Sequence, residues 1–286
     1  MADAPGHLIG QYIGNALEAA VEPFLRELAD KHDLYLDKIG PRPGVRTGRL
    51  LKWTDDLGNS HSLDYVLERG GTSTKQGNPA AFIEAAWRRY TKHSRAKAQE
   101  MQGALLPIVA KWANVAPVPA AIVAGVWTAD ALEQMRSSGF VLLHIPFDTI
   151  IEVFAEYGID VEGFGDKTPD DYWQIQVDAY VGLTAEQREL LHATLRARSD
   201  VETFVDELER RMIRTVERVV VTPLHGTASE FKDVASAIEL VMNYSQIESP
   251  HPFIRFEIRI VYSNGDKIEA TFANGIDATG FLETFA

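Results

Sequence analysis

Asp64 and Glu84 are the residues of this chain whose type and spacing best suit chemistry. Asp64 lies in His61-Ser-Leu-Asp-Tyr-Val-Leu-Glu68 and Glu84 in Ala80-Ala-Phe-Ile-Glu-Ala-Ala-Trp-Arg-Arg89, stretches that read as neighbouring strands. Side chains alternate along a strand, so Asp64, Val66 and Glu68 share one face, as do Phe82, Glu84 and Ala86. Two carboxylates side by side offer oxygen ligands to a hard cation such as Mg²⁺, with Mn²⁺ as a substitute. Such an ion keeps several waters, binds phosphate oxygens directly and lowers the pKa of a bound water. Glu84 follows Phe82-Ile83 in an apolar run, where an unpaired carboxylate is rare. A strand-end salt bridge is the plainer use for Asp64. Glu18 and Glu22 on the first helix can add a ligand, although exposed helical Glu is far commoner.

A basic flank surrounds the pair. Residues 38–97 hold 12 Lys or Arg against 5 Asp or Glu, a net +7, whereas the rest of the chain is −20 and the whole −13. An acidic body with one basic face repels a phosphate backbone everywhere else, which favours a defined site over diffuse adhesion. A merely solvated surface explains the same charges. Arg42, Arg46, Arg49 and Lys52 precede the pair, and Arg88, Arg89, Lys92, Arg95 and Lys97 follow it. Lys75 and Gln76, in the glycine-rich stretch between the two strands, are placed to reach a groove. In this reading Arg42, Arg46, Arg49, Lys75, Arg89, Lys92 and Arg95 contact DNA phosphates.

The elements that must position these residues follow from periodicity. A helix is predicted from His7 to about Asp33, then a loop at Pro41–Gly48, and a hairpin of Arg49–Thr54 with His61–Glu68. Ala80–Arg89 is the third strand. Ser94 caps a helix to about Ala113 with the stripe Ala98, Met101, Leu105, Ile108, Trp112. Pro119–Val126 reads as a buried strand, Ala129–Ser138 as a helix, Phe140–Pro146 as a strand and Asp148–Tyr157 as a helix. The fold class is α/β (α+β), a mixed sheet with helices on its faces.

After Gly163 the texture changes, so the domains are read as 1–163 and 164–286, the second an α+β appendage of unknown role. Thr168-Pro-Asp-Asp-Tyr172 reads as a linker-like turn, followed by helices at Thr184–Arg198 and Val201–Thr215. A strand (Val216–Thr222), a helix (Lys232–Tyr244), a hairpin (Phe253–Phe272) and a short helix follow. In that hairpin a three-residue loop with left-handed Gly265 sets Ile260 against Ile268, Ile258 against Ala270 and Phe256 against Phe272. A two-residue Asn-Gly loop mixes the faces and is rejected.

The order helix, three strands, helix, strand, with acidic residues on the second and third strands, resembles the PD-(D/E)XK nuclease superfamily, which includes many restriction endonucleases. The likeness covers residues 8–146, and the basic, Gln-containing stretch Glu84–Gln102 is similar to such proteins as well. It implies a restriction-endonuclease-like core and Mg²⁺ on Asp64 and Glu84. The implied activity is a site-specific, type II or anti-phage endonuclease that cuts double-stranded DNA as a homodimer in a bacterial or archaeal cytoplasm. The family's lysine two residues after the Glu is Ala86 here. Either a cation has migrated (Lys97 ahead of Arg88), or metal and waters suffice, or the chain is a catalytically inactive DNA-binding or complex-assembly module. Gln99 and Gln102 are either active-site support or polar helix flank.

Other chemistries find no footing. There are no cysteines, hence no disulfides or thiolate sites. His93, His144 and His225 lack metal-ligand spacing, no Gly-Lys-Ser/Thr follows the glycine loop, and no Gly-x-Ser-x-Gly occurs. No apolar run reaches membrane-spanning length, and Met-Ala-Asp-Ala-Pro-Gly lacks signal-peptide character. No membrane partner is expected.

Overall fold

In the computed structural model, which describes residues 4–91, 94–163, 167–244, 252–263 and 265–286, the opening helix α1 spans Pro5–Lys31. Pro5 stands in the first turn, where its missing N–H costs nothing. Ile9, Ile13, Leu17, Val21, Leu25 and Leu28 bury one face, and the helix runs on through Pro23. Asp33, at φ 51°, turns the chain into strand β1 (Leu34–Lys38). There follow β2 (Leu51–Thr54), β3 (Ser60–Leu63), β4 (Tyr65–Arg69), β5 (Asn78–Arg88), α2 (Ser94–Lys111) and β6 (Val118–Gly125). Then come α3 (Ala129–Ser137), β7 (Val141–Pro146), α4 (Phe147–Ala155), α5 (Asp170–Gly182), α6 (Ala185–Ala197) and α7 (Val201–Met212).

The main sheet has the order β1-β4-β5-β6-β7. β1 with β4 and β4 with β5 are antiparallel, whereas β5 with β6 and β6 with β7 are parallel. This is a mixed α/β architecture with a mixed sheet flanked by helices. β6, apolar throughout and buried at every residue, takes the interior position that its continuous run predicts. On one face Val66, Phe82, Ala86, Ala121 and Val123 pack against Ala98, Met101, Leu105 and Ile108 of α2 and Leu132 and Met135 of α3. Alternation sends Tyr65 to the opposite face, where its hydroxyl donates to the Glu18 carbonyl of α1. Helices α5, α6 and α7 pack on α1.

Three expectations need correction. The first strand of the sheet is β1, unforeseen from the sequence, and not the segment beginning at Arg49. β2 and β3 form a separate two-stranded hairpin inserted between β1 and β4. Leu51, Trp53 and Leu63 hold this hairpin on the α2 face, and Lys111 Nζ donates to Thr54 Oγ1 at 2.9 Å. The stretch expected as a linker near Thr168 leads directly into helix α5, which buries Trp173, Gln176, Val177 and Tyr180. Finally, the chain divides into compact units Met1–Met212 and Ile213–Ala286, so residues 164–212 belong with the first unit.

The second unit is a small α+β body with β8 (Val216–Leu224), β9 (Ser229–Phe231), α8 (Val234–Asn243), β10 (Arg255–Tyr262), β11 (Lys267–Phe272) and α9 (Gly275–Glu283). Its sheet order is β11-β10-β8-β9. β10 and β11 pair as the sequence implies, with Ile260 opposite Ile268, Ile258 opposite Ala270 and Phe256 opposite Phe272. Gly265 is left-handed at φ 87°.

Candidate active site

Asp64 stands at the junction of β3 and β4, and Glu84 lies inside β5. In the β4–β5 ladder Tyr65 faces Ile83, Val66 faces Phe82 and Leu67 faces Ala81. One further step of the same register sets Asp64 against Glu84. The Ala85 N–H donates to Asp64 Oδ2 at 2.8 Å and fixes the carboxylate there. Beyond this point β4 has ended, while β5 continues alongside β6 from Glu84 opposite Ala121 to Arg88 opposite Gly125. The two carboxylates therefore meet where one strand stops and its neighbour runs on.

The electrostatics are those of two acids sharing a small space. Burial first, and the Asp64 charge second, push Glu84 up to about 8, with Lys97 opposing and Glu100 adding to the rise. Burial also raises Asp64, against the Ala85 N–H and Lys97, which pull it down. Among the described residues Glu84 Oε1 is buried without a hydrogen-bond partner. Glu18 on α1 is raised by burial and then by Asp64, with Lys38 opposing. Glu22, by contrast, is committed to Lys38 and Arg26, both at 2.7 Å.

Among the described residues Lys97 is the cation that acts on both carboxylates. It sits in the first turn of α2, largely covered at 15% side-chain exposure, and pairs with Glu100 at 2.7 Å. Its ammonium has three donors, so one ion pair leaves two for another acceptor. Arg88 donates to the Trp87 carbonyl at 2.7 Å and does not figure among the charges acting on Glu84. Gln99 is exposed on α2, whereas Gln102 joins the Gln134 and Ser138 network between α2 and α3.

The basic residues divide sharply. Arg42 is buried, donating to Glu68 through both terminal nitrogens at 2.8 and 2.9 Å and to Asp37 at 2.6 Å. It also donates to the carbonyls of Thr72 and Lys75 and lies over the Tyr35 ring at 4.2 Å. Arg46 spends its donors on both Asp37 oxygens and on the carbonyls of Gly40 and Lys38. Neither guanidinium is available to a phosphate, so the expected DNA contacts at Arg42 and Arg46 are withdrawn. Arg89 lies 4.5 Å over Trp173 and donates to the Glu162 carbonyl. Arg95 is exposed and pairs with exposed Asp130 at 3.3 Å. Arg49 and Lys75 are exposed. Lys92 and His93 lie outside the described residues.

A divalent cation suits this pair. An orphaned buried oxygen on Glu84 and mutual repulsion with Asp64 are both relieved by one positive ion. Among the described residues no group of three or more His, Cys, Asp or Glu is gathered into a metal cage. Mg²⁺ needs none, since it binds through one or two carboxylates plus water and substrate phosphate.

The structure sets Asp64, Glu84 and Lys97 within one another's field, with Glu100 paired to Lys97 where the sequence had not singled it out, and gives the two arginines to Asp37 and Glu68, which was not foreseen. The alternation Asp64, Val66, Glu68 was the available signal for Glu68. No family model matches the chain, and neither a curated protein nor a solved structure matches it. Among the described residues no helix is long and apolar enough to cross a membrane.

Proposed function

We propose that this chain is a Mg²⁺-dependent endonuclease that hydrolyses phosphodiester bonds of double-stranded DNA. The observation that carries the reading is that Asp64 and Glu84, whose buried Oε1 has no partner among the described residues, act on each other within the field of Lys97. The element order supports it. With the β2–β3 hairpin set aside as an insertion, α1, β1, β4, β5, α2 and β6 run helix, three antiparallel strands, helix, parallel strand. That order agrees with the PD-(D/E)XK resemblance.

Asp64 and Glu84 would hold the ion, which when bound polarises the phosphoryl group and lowers the pKa of a water. The Ala85 N–H keeps Asp64 aimed at the site, and the apolar surroundings of Glu84 exclude bulk water. Lys97, released in part from Glu100, sets positive charge against the negative charge that develops on phosphorus. It takes the place that Ala86 cannot fill. A restriction or anti-phage role and a homodimer, with one centre per strand, complete the proposal.

The test is cleavage of supercoiled plasmid by the purified chain in Mg²⁺. Nicking or cutting is expected, and it is expected to disappear in Asp64→Ala and Glu84→Ala while DNA binding in Ca²⁺ persists. Cleavage that survives either substitution overturns the assignment. Binding without cleavage by the unsubstituted chain favours the inactive DNA-binding module instead.

A further inference from the structure

Two loops leave opposite ends of the β1–β4 ladder, residues 39–50 at the Tyr65 end beside Asp64 and residues 70–77 beyond Arg69, and a buried charge cluster ties them together. Arg42, on the first loop, reaches Asp37 of β1, Glu68 of β4 and the Thr72 and Lys75 carbonyls of the second loop. The Gly77 N–H donates to Glu68 Oε2 at 2.7 Å. The loops touch closely at Gly44, left-handed at φ 86°, where a Cβ would lie 2.7 Å from the Thr74 carbonyl oxygen. At Gly71 a Cβ would come 2.5 Å from Glu68 Oε2. Arg42 and Arg46 thus neutralise Asp37 and Glu68 inside and spend their own charge doing so.

The cations left over stand around one opening. A depression of about 470 Å³ is lined by Arg49, Leu50 and Lys52 from the first loop and β2, by Trp53, and by Gln76 of the second loop. The Arg49 and Lys52 side chains are exposed and make no ion pair or hydrogen bond with the described residues. Lys75, next to Gln76, is exposed as well. Asp64 and Glu84 do not line the depression, which is linked to them through the strands. Leu51 faces Leu63, the residue before Asp64, and Asp37 faces Val66, two residues after it.

We propose that this two-loop clamp binds the backbone phosphate of double-stranded DNA that flanks the scissile phosphate, with Arg49 and Lys52 as its anion ligands. The Arg42–Asp37–Glu68 cluster acts as its positioning device. The inference rests on the endonuclease reading and names where the substrate strand is held. Fixing a neighbouring phosphate in a rigid rim sets the strand's register over Asp64 and Glu84, which is the service backbone contacts perform.

The experiment is fluorescence anisotropy of a labelled DNA duplex with the full chain in Ca²⁺, across a range of salt. Arg49→Ala/Lys52→Ala is expected to weaken binding at least tenfold and to lower the log–log salt slope by about 2, one per lost phosphate contact. Lys232→Ala/Lys267→Ala removes the same charge from the other compact unit and is expected to stay within about twofold. Both loop positions are exposed, and an unchanged melting temperature shows the fold intact. Equal losses in the two double variants, or an unaltered salt slope, overturn the clamp. If the unsubstituted chain binds and cleaves DNA while the loop variant matches it, the clamp alone falls. If the unsubstituted chain does not bind the duplex, the endonuclease reading falls with it.

Discussion

At neutral pH the buried Glu84 carboxyl avoids standing as a lone charge either by holding a proton or by sharing a cation with Asp64. Its folded value, about 8, lies above the 4.5 of an unperturbed Glu, so between those values the native state binds the extra proton. Stability without metal therefore falls as pH rises from about 4.5 to 8, by on the order of a few kcal/mol. Urea denaturation across that range checks the slope, and Glu84→Gln is expected to flatten it. At the proposed centre Mg²⁺ would compete with the same proton, so it should raise the melting temperature more at pH 8 than at pH 5.5. A Mg²⁺ effect that is equal at both values would separate the ion from Glu84. Lys97→Ala is expected to lower kcat by roughly 10²–10³, the usual cost of losing a transition-state charge partner, and by more than Arg88→Ala does. Glu100→Gln, which frees Lys97, should leave a far smaller deficit in steady-state cleavage assays.

Among the elements, the Arg42 cluster shows best where sequence reading stops. The placement of Asp64 and Glu84 on paired strands and of Lys97 on the first turn of α2 was legible because strand alternation and helix spacing are local. The fate of Arg42 depends on Asp37 arriving on β1 and Glu68 on β4, a pairing made across the sheet. β1 itself was missed because Leu34–Lys38 is short and ends in charges at the start of a loop. Helix α5 was missed because Thr-Pro-Asp-Asp reads as a turn, although Pro169 and the two acids also suit a helix start. The β10–β11 register was legible in full, since only one loop length keeps Ile258, Ile260 and Phe256 on a common face. Arg42→Met leaves Asp37 and Glu68 buried without their shared partner, and a loss of about 3–5 kcal/mol in urea denaturation is expected. Arg95→Ala breaks only an exposed pair with Asp130 and is expected to cost less than about 1 kcal/mol.

For the whole molecule, the charge pattern and the two compact units make separate statements. The basic window of residues 38–97 is less available than its net +7 suggests, because Arg42 and Arg46 are neutralised internally. Arg49, Lys52, Lys75 and Arg95 stay exposed in that window, against a remainder of the chain at net −20. All residues of the proposed centre fall within Met1–Met212. A fragment comprising residues 1–212 is expected to fold cooperatively and to keep plasmid cleavage in Mg²⁺. A folded but inactive fragment would assign Ile213–Ala286 to substrate engagement or assembly.

In the proposed centre two acidic side chains, Asp64 and Glu84, grip one ion. Diffraction from crystals soaked in Mn²⁺, read from its anomalous signal, examines that grip without requiring turnover. A peak within bonding distance of carboxylate oxygens from both Asp64 and Glu84 is the predicted result, lost in Glu84→Gln. Manganese bound elsewhere, or absent from that junction at concentrations that support binding to other Mg²⁺ enzymes, would contradict it.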